Sequence, residues 1–95
     1  MRITDIVWKE RIVDKISEKH GISVAEVEDA LLSRPVIRKM AKGRVRGEDL
    51  YAALAPIENG RYLVVFFIYK KRGIALPISA CAMKHWERRY YDKHK

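Results

Sequence analysis

From Tyr62 to Tyr69 the chain is apolar without a break, directly after Asn59-Gly60-Arg61. A run this short, rich in aromatic and β-branched residues, reads as a strand. A strand that is apolar at every position must be covered on both faces, so it belongs in the middle of a sheet. Asn-Gly is the strongest two-residue hairpin signal, because a type I′ turn needs positive φ at both centres. Leu50 to Ile57 is therefore expected to pair with Tyr62 to Tyr69 around that turn.

The flanking segments supply the layers. Lys70-Lys71-Arg72-Gly73 turns the chain into a further strand, Ile74 to Ser79. Pro77 has no amide proton for a ladder, so it should face an edge or a bulge. Upstream, Arg2 to Trp8 reads as a short strand. Trp8, Ile12 and Ile16, with Val13 beside them, then recur at helical spacing. Lys19 and His20 before Gly21 end that helix. Ser23 and Glu26 form an S-x-x-E start for a second helix, whose apolar face is Val24, Val27, Ala30 and Leu31. Arg34-Pro35 stops it.

Residues 36–47 carry Arg38, Lys39, Lys42, Arg44 and Arg46. They read as a short extended piece followed by a mobile basic loop, or as a longer connection packed on the sheet. At the C-terminus a helix is expected. Met83, Trp86 and Tyr90 would be its buried stripe. Lys84 and Arg88 would form one exposed column, and His85, Arg89 and Lys93 the next. The expected architecture is one α+β domain over residues 1–95, in the order β-α-α-β-β-β-α.

Charge narrows the function. Residues 1–33 hold five Lys/Arg against seven Asp/Glu, a net of −2; residues 34–95 hold fifteen against five, a net of +10. This asymmetry suggests that the C-terminal part faces a polyanion, the alternative being a solvated basic surface. Cys81 is the only cysteine, which excludes an intrachain disulfide or a cysteine-based metal site. The run from Tyr62 to Tyr69 is too short to span a bilayer as a helix. Met1 to Glu10 has no apolar run after a basic start. A soluble cytoplasmic protein without metal or cofactor is expected.

Single-stranded RNA needs cations for its phosphates and ring faces for its bases. Lys70, Lys71 and Arg72 at the sheet turn, with Lys84, Arg88, Arg89 and Tyr91 on the last helix, offer both. Trp86 and Tyr90 are read as core. Metal-free cleavage would proceed in line, the ribose 2′-hydroxyl attacking the adjacent phosphate. Lys71 and Arg72 would stabilise the charged transition state, and His85 would be the base. His20 reads as a helix cap, and Glu26, Glu28 and Asp29 as complements to a helix dipole. A plain DNA-binding module is disfavoured, because residues 24–33 are acidic where a recognition helix would be basic.

In order, Trp8, Lys19-His20-Gly21-Ile22-Ser23, the Asn59-Gly60-Arg61 hairpin with its apolar strand, Ile78-Ser79-Ala80 and Glu87-Arg88-Arg89-Tyr90 resemble the BrnT toxin family. The likeness covers nearly the whole chain; residues 34–49 match poorly. It implies a RelE-like ribonuclease fold and the role of toxin in a type II toxin–antitoxin module. It also implies an acidic ribbon-helix-helix antitoxin as partner, and contact with DNA only through that complex. Three positions depart from the family pattern. Cys81 stands where the family has arginine after Ile-Ser-Ala, Leu50 where it commonly has another arginine, and Lys9 where it has an acid. The turn cations Lys70 to Arg72 are retained. The departures make a non-catalytic, RNA- or partner-binding member the alternative.

Overall fold

A computed structural model describes residues 1–43 and 46–95; Arg44 of the basic stretch lies outside them. The elements are β1 (Asp5–Ile6), α1 (Glu10–His20), α2 (Val24–Leu32), β2 (Val36–Ala41), β3 (Leu50–Pro56), β4 (Tyr62–Lys70), β5 (Ile74–Ala82) and α3 (His85–His94). They form a small α+β domain around one five-stranded sheet, ordered β1-β5-β4-β3-β2. The expected order is present with one addition: the extended piece after Pro35 is a full strand, β2, paired antiparallel with β3. Strands β2 to β5 make an antiparallel meander, and the two-residue β1 joins β5 in parallel. The first strand is therefore much shorter than the Arg2 to Trp8 expected for it.

β4 is central, and its alternation assigns the two faces. Leu63, Val65 and Phe67 pack with Ile16, Ile22, Val27 and Leu31 from the α1–α2 side. Val64 and Phe66 face the other way, toward Met83, Tyr90 and Tyr91 at and on α3. β5 changes face part-way. Phe66 pairs with Ser79 but Phe67 with Pro77, so one residue of β5 is looped out between them. A bulge of one residue inverts the alternation that follows it. Ala80 consequently lies on the α1–α2 side and Cys81 on the α3 side. Pro77 sits at this bulge, as its missing amide proton requires.

The β3–β4 turn departs from the type I′ expectation. Gly60 has φ 91°, whereas Asn59 is not among the residues with positive φ. The Gly60 amide donates to the Ile57 carbonyl (2.9 Å), and the Ile57 amide to the Arg61 carbonyl (2.8 Å). This is a three-residue loop closed by a left-handed glycine. Asn59 acts through its side chain instead. Its Oδ1 accepts from the Arg61 amide (3.1 Å), and its Nδ2 donates to Glu26 (2.7 Å).

Glu26 ties this turn to α2. Its Oε1 accepts from the Ser23 amide (3.0 Å), completing the capping box, while Oε2 takes the Arg61 guanidinium (2.9 Å). Asp29 accepts from the Glu58 amide (2.9 Å). Glu26 and Asp29 are thus turn clamps, whereas Glu28 accepts from Trp8 Nε1. The Ser23 amide, then Asn59 and Arg61, hold the Glu26 pKa down at about 2. A depressed carboxylate stabilises the fold above its ordinary pKa of 4.5, and that stabilisation is lost as pH falls toward about 2. Glu26→Gln is expected to cost about 1–2 kcal/mol at neutral pH, the partial exposure of the pair limiting the effect. The deficit should shrink as pH drops below 4.5. Urea midpoints at neutral and acidic pH measure it; a deficit independent of pH would show that the carboxylate charge is not responsible.

Candidate nucleic-acid interface

The turn between β4 and β5 presents the first cluster. Arg72 (φ 63°) and Gly73 (φ 79°) are both left-handed. Positive φ at a non-glycine residue costs roughly 1–2 kcal/mol, so Arg72 is held there by its surroundings. The Gly73 carbonyl accepts from the Thr4 (2.8 Å) and Asp5 (3.2 Å) amides, and its own amide donates to the Tyr69 hydroxyl (3.0 Å). A Cβ on Gly73 would lie 2.6 Å from Thr4 Oγ1, so β1 packs directly on the turn. Lys71 and Arg72 are exposed, and neither has an ion-pair partner among the described residues. Lys70, by contrast, is paired with Glu48.

Arg46, Gly47, Glu48 and Ile74 complete an open cleft of about 420 Å³ around Lys70, Lys71 and Arg72. An adjoining cleft of about 190 Å³ brings Asp49, Tyr51 and Tyr69 together with Lys71. Asp49 accepts from the Gly43 amide (2.7 Å) and pairs with Lys39 (3.0 Å). The Gly43 amide first, and Lys39 after it, keep its carboxyl below the usual carboxylate range. Asp49, just before β3, Tyr51 within it and Tyr69 in β4 escaped the sequence reading because only the β3–β4 pairing brings them beside Lys71.

His85 is not part of this cluster. The Met83 amide bonds to the Tyr62 carbonyl (2.9 Å), at the start of β4, whereas Arg72 lies beyond its end. The nine residues of β4 cover roughly 27 Å, and the two further residues of chain at each end, to His85 and to Arg72, recover at most roughly 7 Å apiece. His85 therefore stands more than roughly 10 Å from Arg72, too far to share one phosphate with it. The expectation that His85 serves as base beside Lys71 and Arg72 is corrected on that geometry.

The second cluster lies on α3, and its register differs from the expected one. Glu87, only 7% exposed, faces the sheet, with Tyr91 one turn later packed on the same side. The Glu87 carboxylate accepts the Lys84 amide (2.8 Å), and this helix-start bond brings it under the helix. Trp86 is turned outward and is 47% exposed, so its assignment to the core does not hold; Tyr90 is half-buried. Tyr91, expected as an open stacking surface, is itself half-buried. Its ring meets Tyr62 edge-on at 6.1 Å. Arg88 lies over the Tyr62 ring at 3.4 Å, while Lys84 and Arg89 are exposed.

A shallow groove of about 550 Å³ runs between β2 and α3, lined by Arg38, Trp86, Arg89, Tyr90, Lys93 and His94. Arg38 reaches it from β2 and lies 5.1 Å from the Tyr90 ring centre and 5.6 Å from that of Trp86. Cys81, on the same side of the sheet, is a free thiol whose pKa is pushed up, by burial first and by the nearby Glu87 second. It offers no positive charge where the family resemblance expects an arginine. Among the described residues, no three His, Cys, Asp or Glu side chains gather around a common point for a metal ion. No described helix is long and apolar enough to cross a membrane. Comparison with protein-family models and with curated proteins finds no match to this chain.

Proposed function

We propose that this protein is the toxin component of a type II toxin–antitoxin module, a RelE-like, metal-independent endoribonuclease that acts on mRNA. The observation that carries the reading is the β4–β5 turn. There two cations without an ion-pair partner among the described residues, one of them on a strained backbone, border an open cleft. Such a cluster suits a phosphate whose negative charge grows in an in-line displacement. Strain retained at an exposed cation is more readily explained by function than by folding. Lys71 and Arg72 stabilise the phosphorane oxygens. Asp49, lining the adjoining cleft with Lys71, takes the 2′-hydroxyl proton as the 2′-oxygen bonds to phosphorus, while the P–O5′ bond breaks and the departing 5′-oxygen takes a proton from solvent; its low pKa makes it a weak base. An acidic ribbon-helix-helix antitoxin would neutralise the protein by covering its basic surface.

A second reading, a non-catalytic RNA- or partner-binding member of the same family, is favoured by two observations. His85 stands apart from the turn, and Cys81 and Leu50 occupy positions where the family resemblance expects arginine. RNA cleavage by the purified protein in EDTA separates the two readings. Cleavage that persists in chelator and is lost in Lys71→Ala/Arg72→Ala supports the ribonuclease. Binding without cleavage by the unmodified protein supports the second reading.

A further inference from the structure

We infer that the groove between β2 and α3 takes an unpaired base of single-stranded RNA, stacked on Trp86, with the neighbouring phosphates held by Arg38, Arg89 and Lys93. The inference rests on the reading of this protein as one that acts on RNA, and it concerns a surface separate from the β4–β5 turn.

Trp86 is 47% exposed, and it is Glu87, one residue along, that takes the buried position on α3. Tyr90 beside it is already engaged. Arg38 sits over its ring, His94 stacks on it at 4.0 Å, and the His94 Nδ1 is 2.8 Å from the Tyr90 carbonyl oxygen. Arg38 also lies 5.6 Å from the Trp86 ring centre, but no second ring stacks on Trp86, and its exposed part is the stacking surface the groove offers.

Charge selects the occupant. The groove lining contains Arg38, Arg89, Lys93 and His94 and no acidic side chain. Arg38, Arg89 and Lys93 have no ion-pair partner among the described residues. An acidic peptide would satisfy the cations but has no need of a flat ring. Duplex nucleic acid keeps its bases stacked within the helix. A single strand uses both features, because its phosphates are spaced along the backbone and each base has a π face to offer.

The chain has two tryptophans, and Trp8 donates to Glu28 (3.1 Å) on the α1–α2 side of the sheet. A Trp8→Phe variant therefore makes the emission report on Trp86 alone. Titrating it with an oligouridylate should quench that emission saturably. The midpoint should match the one obtained from the anisotropy of the same end-labelled oligomer. Trp86→Ala should weaken binding roughly 5- to 100-fold, and Trp86→Phe should restore most of it. Arg38→Glu should weaken binding and flatten its salt dependence. Full affinity in Trp86→Ala, without quenching in Trp8→Phe, would place RNA elsewhere; the groove would be excluded and the RNA reading would stand. Absence of binding to any single-stranded RNA would overturn both. Quenching by polyglutamate and not by the oligomer would assign the groove to an acidic protein.

Discussion

Lys71→Ala/Arg72→Ala is expected to reduce RNA cleavage by at least a factor of ~10³, while His85→Ala leaves the rate unchanged. Removing a single preorganised donor from a developing oxyanion costs about 10²–10³ in rate, and the double change removes both cations from the turn. Stability should barely move in the double variant, because exposed side chains without partners contribute within about ±0.5 kcal/mol. Arg72→Gly is more telling. It discards the guanidinium and relieves the left-handed strain at φ 63°. Its activity should fall while its stability rises by up to about 1 kcal/mol, a few degrees in Tm for a domain of this size. Opposite movements of activity and stability are the mark of strain kept for function. A fall in both would assign Arg72 a structural role. Unaltered cleavage would remove the turn from the mechanism.

Phe67→Ala should destabilise the domain by about 3–5 kcal/mol, enough to leave a substantial unfolded fraction in a domain of ordinary stability. Phe67 is fully buried in the central strand and stacks on Tyr51 at 5.8 Å. Its position in β4 places it on the α1–α2 side with Val65 and Leu63. Truncation leaves a cavity that strands on both sides prevent from collapsing. Phe66→Ala provides the comparison. It faces the side covered by one helix and is only half-buried, so its loss should be smaller. Urea denaturation of the two variants measures the difference; equal losses would mean that the two faces are equally packed.

Elements governed by local chemistry were legible in the sequence. The Ser23–Glu26 box, the apolar run of β4 and the breaking effect of Pro77 each act over a few residues, and each is found where it was expected. Features decided by competition between distant groups were not. Asn-Gly favours two left-handed residues, but Glu26 draws the Asn59 side chain away, and the left-handed pair appears at Arg72-Gly73. Trp86 and Tyr90 lie at helical spacing and resemble a core stripe. The same spacing links Glu87 and Tyr91, and hydropathy alone does not reveal that Glu87 is buried and Trp86 exposed, while Met83 and Tyr90 pack as the stripe expects. β2 was read only as an extended piece, because its cations disguise a strand that needs β3 beside it.

The candidate site divides in the same way. Lys70, Lys71 and Arg72 are neighbours in sequence and were found together. Asp49, Tyr51 and Tyr69 become neighbours of Lys71 only through strand register, and Arg38 meets Trp86 only because β2 lies under α3. Residue type suggested His85, but the length of β4 keeps it from the turn.

The parallel pairing of β1 with β5 has a consequence for the chain as it is made. Asp5 and Ile6 must wait for Ile74 and Ala75, their partners in the sheet. At about 5–20 residues per second of synthesis, that interval is several seconds. For that time α1 has emerged without β5, the strand it packs on, and its apolar stripe is open to chaperones or to a partner already present. The turn that carries Lys71 and Arg72 is also the segment that β1 closes on. Completion of the fold and assembly of the candidate site are therefore one event, set by the emergence of β5.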